Sequence, residues 1–170
     1  IGPSSSHTLG PWRAAERFLA ELPELKLLEK TERVKVDLYG SLSLTGKGHA
    51  TDLAVMLGLS GQDPEYIPVE NISGIIKKIE DENQINLGNE KIIPFSFLMD
   101  IVFNKDFLPF HANGLMFTPY TDSEEYASTF YSIGGGFVVK EERTNAKKKE
   151  VAPPPTPTAK VTGRDVDTGG

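Results

Sequence analysis

Tyr39-Gly-Ser-Leu-Ser-Leu-Thr-Gly-Lys-Gly-His-Ala-Thr-Asp52 is the stretch on which the rest of this sequence turns. Just before it, Val34, Val36 and Leu38 alternate with polar residues, and Leu42 and Leu44 keep the same parity, which predicts a strand over 33–44. After it, Ala54, Val55, Leu57 and Leu59 recur at helical spacing and predict a helix over 51–60. Thr51 or Asp52 suits the N-cap of that helix, because a short side-chain oxygen can accept an orphan N–H of the first turn. Between them lies Thr45-Gly-Lys-Gly-His49, a loop carrying a cation, an imidazole and two glycines. A strand that hands such a loop to a helix N-terminus offers N–H donors and positive potential to a small anion.

The 170 residues suffice for one domain with a sizeable core and are too few for two large ones. A hydrophobic share of 38% and a charged share of 25% are those of an ordinary globular chain. The net charge of -6 argues against a general nucleic-acid-binding role. No apolar run approaches the length needed to cross a bilayer, and no signal peptide is visible. The first residue is Ile1, so a short N-terminal piece is expected to be missing. Cysteine is absent, which excludes a disulfide framework, thiolate metal sites and an iron–sulfur cluster held by this chain alone. It also fits a cytosolic setting.

Residues 1–8 read as a Gly/Pro/Ser-rich loop leading into a helix. Trp12, Ala15, Phe18, Leu19 and Leu22 share one face of that helix, and Pro23 ends the pattern. Ile72, Ile75, Ile76 and Ile79 mark a helix within 69–83, weakened by Gly74. From about residue 84 the texture turns to strand. Residues 91–103 are rich in aromatic and β-branched types, with Pro94 suggesting a sheet edge. Asn113-Gly114 signals a turn with positive φ, ahead of strands over 115–121, 126–133 and 137–140. The mixture of helices with a strand-rich second half makes the fold class α+β (mixed α/β). Residues 1–145 are the expected domain, and the charged, proline-rich 146–170 a linker or tail that leads to something further.

All three histidines, His7, His49 and His111, fall in predicted loops, where an imidazole can meet a ligand or merely cap a turn. With Asp52 they could form a metal site, but no compact pair of His ligands accompanies them. Ser4, Ser5 and Ser6 offer hydroxyls and N–H groups to a carboxylate or phosphate, yet such a run is equally an N-cap loop. Gly46-Lys47-Gly48 resembles part of a phosphate-binding loop but lacks the G-x-x-x-x-G-K-[ST] order, so that reading fails. Gly134-Gly-Gly136 is a bulge, a tight turn or a close-approach site.

The combination is more specific than its parts. Ile1-Gly-Pro-Ser-Ser-Ser-His-Thr8 with Gly10-Pro11, then Asp37 to Asp52, then His111-Ala-Asn-Gly114, then Tyr131-Ser-Ile-Gly-Gly-Gly-Phe137 occur in that order. Over residues 1 to about 142 the chain resembles the β domain of bacterial iron–sulfur-dependent L-serine dehydratase, or L-serine ammonia-lyase. The resemblance implies conversion of L-serine to pyruvate and ammonia. It also implies a [4Fe–4S] cluster held by cysteines of a separate catalytic α domain or subunit, a homo-oligomeric full enzyme and a cytoplasmic setting. The fold it implies resembles the allosteric substrate-binding domain of some D-3-phosphoglycerate dehydrogenases. Elimination from serine needs a base for the α-proton and a Lewis acid for the hydroxyl. By resemblance His49 is the expected catalytic residue, with His111 and Asn113 orienting substrate or bridging to the catalytic domain. Ser4, Ser5, Ser6, His7 and Lys47 suit the serine carboxylate, and Thr51 and Asp52 complete the expected binding set. The isolated chain is expected to be inactive, to bind no metal and to be only part of the enzyme. The competing reading is a purely regulatory small-molecule-binding domain of another enzyme, such as a phosphoglycerate dehydrogenase.

Overall fold

Alternation of Val34, Val36 and Leu38 with Arg33, Lys35 and Asp37 does produce a strand, β1 (Arg33–Leu38), with the three aliphatic side chains fully buried. The computed structural model describes residues 6–46, 50–122, 126–141, 161–162 and 165–166. In chain order the further elements are α1 (Leu9–Glu24), α2 (Gly40–Gly46), α3 (Thr51–Leu59), α4 (Val69–Glu82), β2 (Gln84–Leu87), β3 (Lys91–Pro94) and α5 (Phe97–Asp100). They are followed by β4 (Ile101–Phe103), β5 (Gly114–Tyr120), β6 (Ser128–Gly134), β7 (Phe137–Lys140), β8 (Val161–Thr162) and β9 (Asp165–Val166). Five strands form one sheet in the order β4-β1-β5-β6-β7, parallel between β1 and β4 and antiparallel elsewhere. β2–β3 and β8–β9 are separate two-stranded ladders. Helices and strands are thus mixed as α+β requires.

α1 covers the sheet with the stripe its sequence announces: Trp12, Ala15, Phe18 and Leu22 are buried. Phe18 stacks on Phe117 of β5 with centroids 5.0 Å apart, and Phe117 meets Phe130 of β6 edge-on at 5.9 Å. Glu21 ties the same helix to β6 and β7, accepting from Ser128 Oγ at 2.7 Å and pairing with Lys140 Nζ at 2.7 Å. α3 packs directly on α1. There the two backbones come so close that a Cβ on Gly58 would lie 2.7 Å from Ala15 Cβ and 2.8 Å from the Trp12 carbonyl. Trp12 Nε1 also donates to the Gln62 carbonyl at 2.8 Å, pinning the chain that leaves α3.

Four sequence expectations change here. The predicted strand over 33–44 stops at Leu38, because Gly40 adopts φ +58° and the chain turns into α2. Leu42 is then fully buried while Leu44 is 66% exposed, so the shared parity no longer means a shared face. Pro23 lies inside the last turn of α1 and the helix runs on to Glu24. The apolar run over 91–103 is broken by α5, capped by Ser96, whose side chain accepts from Met99 N–H. Asp100 accepts from the Ser96 N–H at 2.7 Å, a capping box closed one residue late. Asp100 also takes both arms of Arg33 at 2.7 and 2.9 Å, which seats β4 beside β1. Finally, Gly114 has no positive φ; it begins β5 with Tyr131 and Leu108 so near that a Cβ would meet them at 3.2 and 3.0 Å.

For Gly58→Ala the expected outcome is a loss of ~1–3 kcal/mol from overpacking between α1 and α3, read by urea or thermal unfolding. An Ala15→Gly substitution in the same chain should recover part of it. An unchanged midpoint in the single variant would show that the helices can part without cost.

Candidate functional site

The C-terminal ends of β1 and β6 and the N-terminal end of β5 lie side by side, since Leu38 pairs with Leu115 and Gly114 with Tyr131. The β6–β7 hairpin closes at the same end. Gly135 and Gly136 form its two-residue loop with φ +65° and +80°, the pattern of a type I′ turn. Gly136 faces Leu9 at the start of α1, where a Cβ would come within 2.7 Å of the leucine side chain. The glycine run is therefore both a tight turn and a close approach.

Ser132 of β6 is the hub of this end. Its N–H donates to the Asn113 carbonyl at 2.9 Å, and its own carbonyl accepts from Asn113 Nδ2 at 3.1 Å. Its hydroxyl donates to the Ser6 carbonyl at 2.8 Å. Ser6 Oγ and His7 Nδ1 are paired at 3.0 Å, and the His7 carbonyl accepts from the Thr51 hydroxyl. The loop before α1, the first turn of α3, the 111–113 loop and β6 are joined in this way by hydrogen bonds between segments up to 126 residues apart. Ser6 of one motif and Asn113 of another, with His111 bonded to it, are brought together through Ser132, and Thr51 of a third joins them through the His7 carbonyl.

Thr51 and Asp52 do not cap α3 as expected. Ala50 occupies the cap position with no side-chain bond, Thr51 spends its hydroxyl on His7, and Asp52 Oδ1 accepts the Leu53 N–H at 2.8 Å. Both are 1% exposed. A buried carboxylate in the first turn complements the positive end of the helix dipole. Ser4, Ser5, Lys47 and His49 lie outside the described residues.

His111 Nδ1 accepts the Asn113 N–H at 3.0 Å. That bond requires a lone pair on Nδ1, so the neutral ring carries its proton on Nε2. Burial lowers the His111 pKa below its ordinary 6.5, in the same sense. Among the described residues neither His111 Nε2 nor Asn113 Oδ1 has a hydrogen-bond partner. The loop therefore presents a neutral N–H donor next to an amide acceptor, a pair suited to a carboxylate and an ammonium group.

Two tyrosines line the same end and were not singled out from sequence. Burial, with Asp37 and Asp106 nearby, pushes the Tyr39 pKa up to about 12, so it stays an O–H donor. Burial raises Tyr131 as well, assisted by Glu141, whose Oε1 accepts the Tyr131 hydroxyl at 2.7 Å. Ser132 was inside a quoted motif, yet nothing in Tyr-Ser-Ile-Gly announces that its backbone would serve as a partner. The sequence has no cysteine, and among the described residues no group of three or more His, Asp or Glu could hold a metal ion. Nor is any helix among them long and apolar enough to cross a membrane.

Residues 1–143 match the serine dehydratase beta chain family. The chain belongs to that family. It is 42% identical over 161 residues to the L-serine dehydratase of Haemophilus influenzae, covering 92% of this chain and 35% of that protein. With L-serine dehydratase 1 of Escherichia coli the identity is 44% over 144 residues, 84% of this chain and 32% of the relative. With the L-serine dehydratase of Streptomyces coelicolor it is 42% over 151 residues, 87% and 33%. The beta-chain sequence thus spans about a third of the length of the curated relatives it matches.

The lowered pKa gives a pH prediction. The unfolded chain takes up a proton on His111 near the ordinary 6.5, before the folded chain does. The stabilising contribution is complete above that value and is lost as pH falls through the folded pKa. His111→Gln should therefore narrow the gap in urea midpoint between about pH 7.5 and about pH 5. A gap as wide as that of the unaltered chain would place the acid sensitivity elsewhere.

Proposed function

We propose that this chain is the β domain of an L-serine ammonia-lyase, the enzyme that converts L-serine to pyruvate and ammonia. Membership of the beta chain family and the printed names of the relatives support that reading. The observation that carries it to particular residues is the Ser132 hub, which gathers Ser6, Asn113 and, through Asn113, His111 at one end of the sheet. Residues 1–145 form the domain and 146–170 the segment that connects or trails it. The cytoplasm is its compartment, and the full enzyme is a homo-oligomer whose β domain is akin to the allosteric substrate-binding domain of phosphoglycerate dehydrogenases.

The roles follow from the chemistry of each group. His111, protonated on Nε2 and neutral, donates to the serine carboxylate, and Asn113 Oδ1 accepts from its ammonium. Ser4, Ser5, Ser6, His7 and Lys47 surround the same carboxylate with donors. Thr51 holds the His7 segment against α3, and Asp52 stabilises the start of that helix. His49 acts as the base that takes the α-proton. Serine bound here serves as substrate, effector or both in the assembled enzyme.

A [4Fe–4S] cluster does not fit this chain, because its ligands are thiolates and the sequence contains none. The cluster's ligands belong to the catalytic α domain or subunit with which this domain assembles.

Two measurements test the reading. The purified 170-residue chain, held anaerobically with L-serine, should form no pyruvate; turnover would overturn the division of labour. In the assembled enzyme His49→Ala should lower kcat by ~10²–10⁴-fold, the range for loss of a general base, with the unfolding midpoint preserved. A normal kcat would return His49 to a structural part.

A further inference from the structure

We propose that Tyr131 is a positioning residue for the His111–Asn113 loop, and that Glu141 holds it in place from the point where the chain leaves β7. The serine-related part of this inference rests on the function proposed above; the positioning itself does not.

Tyr131 is 2% exposed, on the sheet face opposite Phe130 and α1. Its ring forms the seat of the loop on both sides. On one side lies Gly114, the residue after Asn113, whose missing Cβ leaves room for the ring. On the other lies Phe110, the residue before His111, with ring centroids 4.9 Å apart at 57°. The loop is clasped between two contacts to one ring. Ser132, next in sequence, then fixes Asn113 through its backbone. A tilt or rise of the Tyr131 ring therefore moves both ends of the segment that carries His111 and Asn113.

The ring has only one described hydrogen-bond restraint at its outer end: the hydroxyl donates to Glu141 Oε1 at 2.7 Å. Glu141 is exposed, and its own N–H donates to the Thr129 carbonyl, extending the pairing of β6 with β7 by one residue. It stands immediately before the charged and proline-rich stretch of the sequence. A displacement of the chain at that point acts on the carboxylate, through it on the ring, and through the ring on the loop. A buried tyrosine needs a partner for its hydroxyl in any case. What separates this arrangement from ordinary satisfaction is that the partner lies where the chain leaves β7 and the ring packs against both ends of the loop.

Amide hydrogen exchange on the 170-residue chain, with Tyr131→Phe, Glu141→Ala and Glu141→Gln, tests this. Tyr131→Phe keeps the ring and removes the bond; it should speed exchange at the Asn113 and Ser132 amides by ~10-fold, while Val36 and Phe117 in the middle of the sheet stay within about twofold. Glu141→Ala should reproduce that pattern, and Glu141→Gln, which retains an acceptor, should restore it. The nitrogen chemical shifts of the His111 ring should move toward a mixture of tautomers in the first two variants only. A uniform acceleration, or none at Asn113, would overturn the proposal and leave the bond a general stabiliser. In the assembled enzyme Tyr131→Phe should raise the serine concentration for half-maximal rate by ~3–10-fold with kcat within about twofold. Altered exchange with an unaltered serine response would uphold the positioning and overturn the serine-facing role of His111 and Asn113.

Discussion

Everything at the functional end of this domain hangs on how closely the backbone approaches itself at Gly40. A Cβ there would lie 2.2 Å from the Ala112 carbonyl oxygen and 2.9 Å from the Phe107 ring, and φ is +58°. Either restriction alone favours glycine; together they exclude other residues without a backbone shift. The Gly40 N–H donates to the Asp106 carbonyl and the Ser41 N–H to the Ala112 carbonyl, at 2.8 and 2.9 Å. The turn that ends β1 and starts α2 is thus the same contact that lays the 104–113 loop against the sheet. It adds to the Tyr39 N–H bond to the Gly114 carbonyl in fixing the His111–Asn113 segment relative to β1.

The polar end of the domain is built almost wholly from backbone partners. Ser132 and Thr51 direct their hydroxyls at the carbonyls of Ser6 and His7, and the Asn113 amide group reaches the Ser132 carbonyl. Carbonyl acceptors do not titrate, so these links persist through the pH range in which an imidazole changes charge. The titratable groups are placed differently. His111 is held neutral by burial, and Tyr39 is held protonated by burial and by Asp37 and Asp106. The result is a set of carbonyl links that do not titrate, beside imidazole links and tyrosines whose protonation is set by their surroundings.

Much of the architecture was legible in the chain because its apolar residues are spaced at single, clean periods. The stripe of α1 and the isoleucines of α4 follow from period, and the strands at β5, β6 and β7 from strand-forming runs set between turn signals. The misreadings have local causes. Leu42 and Leu44 kept strand parity across Gly40, and no pattern of side chains reports a backbone that reverses by a left-handed φ. The cap of α5 was hidden because Asp100, not the residue at the usual spacing, closes back on Ser96. Asn113-Gly114 looked like a turn, while the glycine is there to admit the Tyr131 ring. As for the site, the motifs carrying His7, Thr51 and Asn113 could be named from sequence, but not that they meet. Two of them meet through Ser132, a residue with an ordinary side chain that bonds both Ser6 and Asn113, and the third through the His7 carbonyl.

The ends of the five-stranded sheet have one more consequence, for behaviour at high concentration. Its outer strand β4 is three residues long, too short to template an added strand. At the opposite margin Arg17 donates to the Val138 carbonyl of β7 at 2.8 Å, occupying an acceptor that a neighbouring molecule's strand would otherwise claim. One margin is shortened and the other is blocked by a guanidinium from the covering helix. Both devices work against the addition of a further strand at these two margins, away from the end where the loops gather.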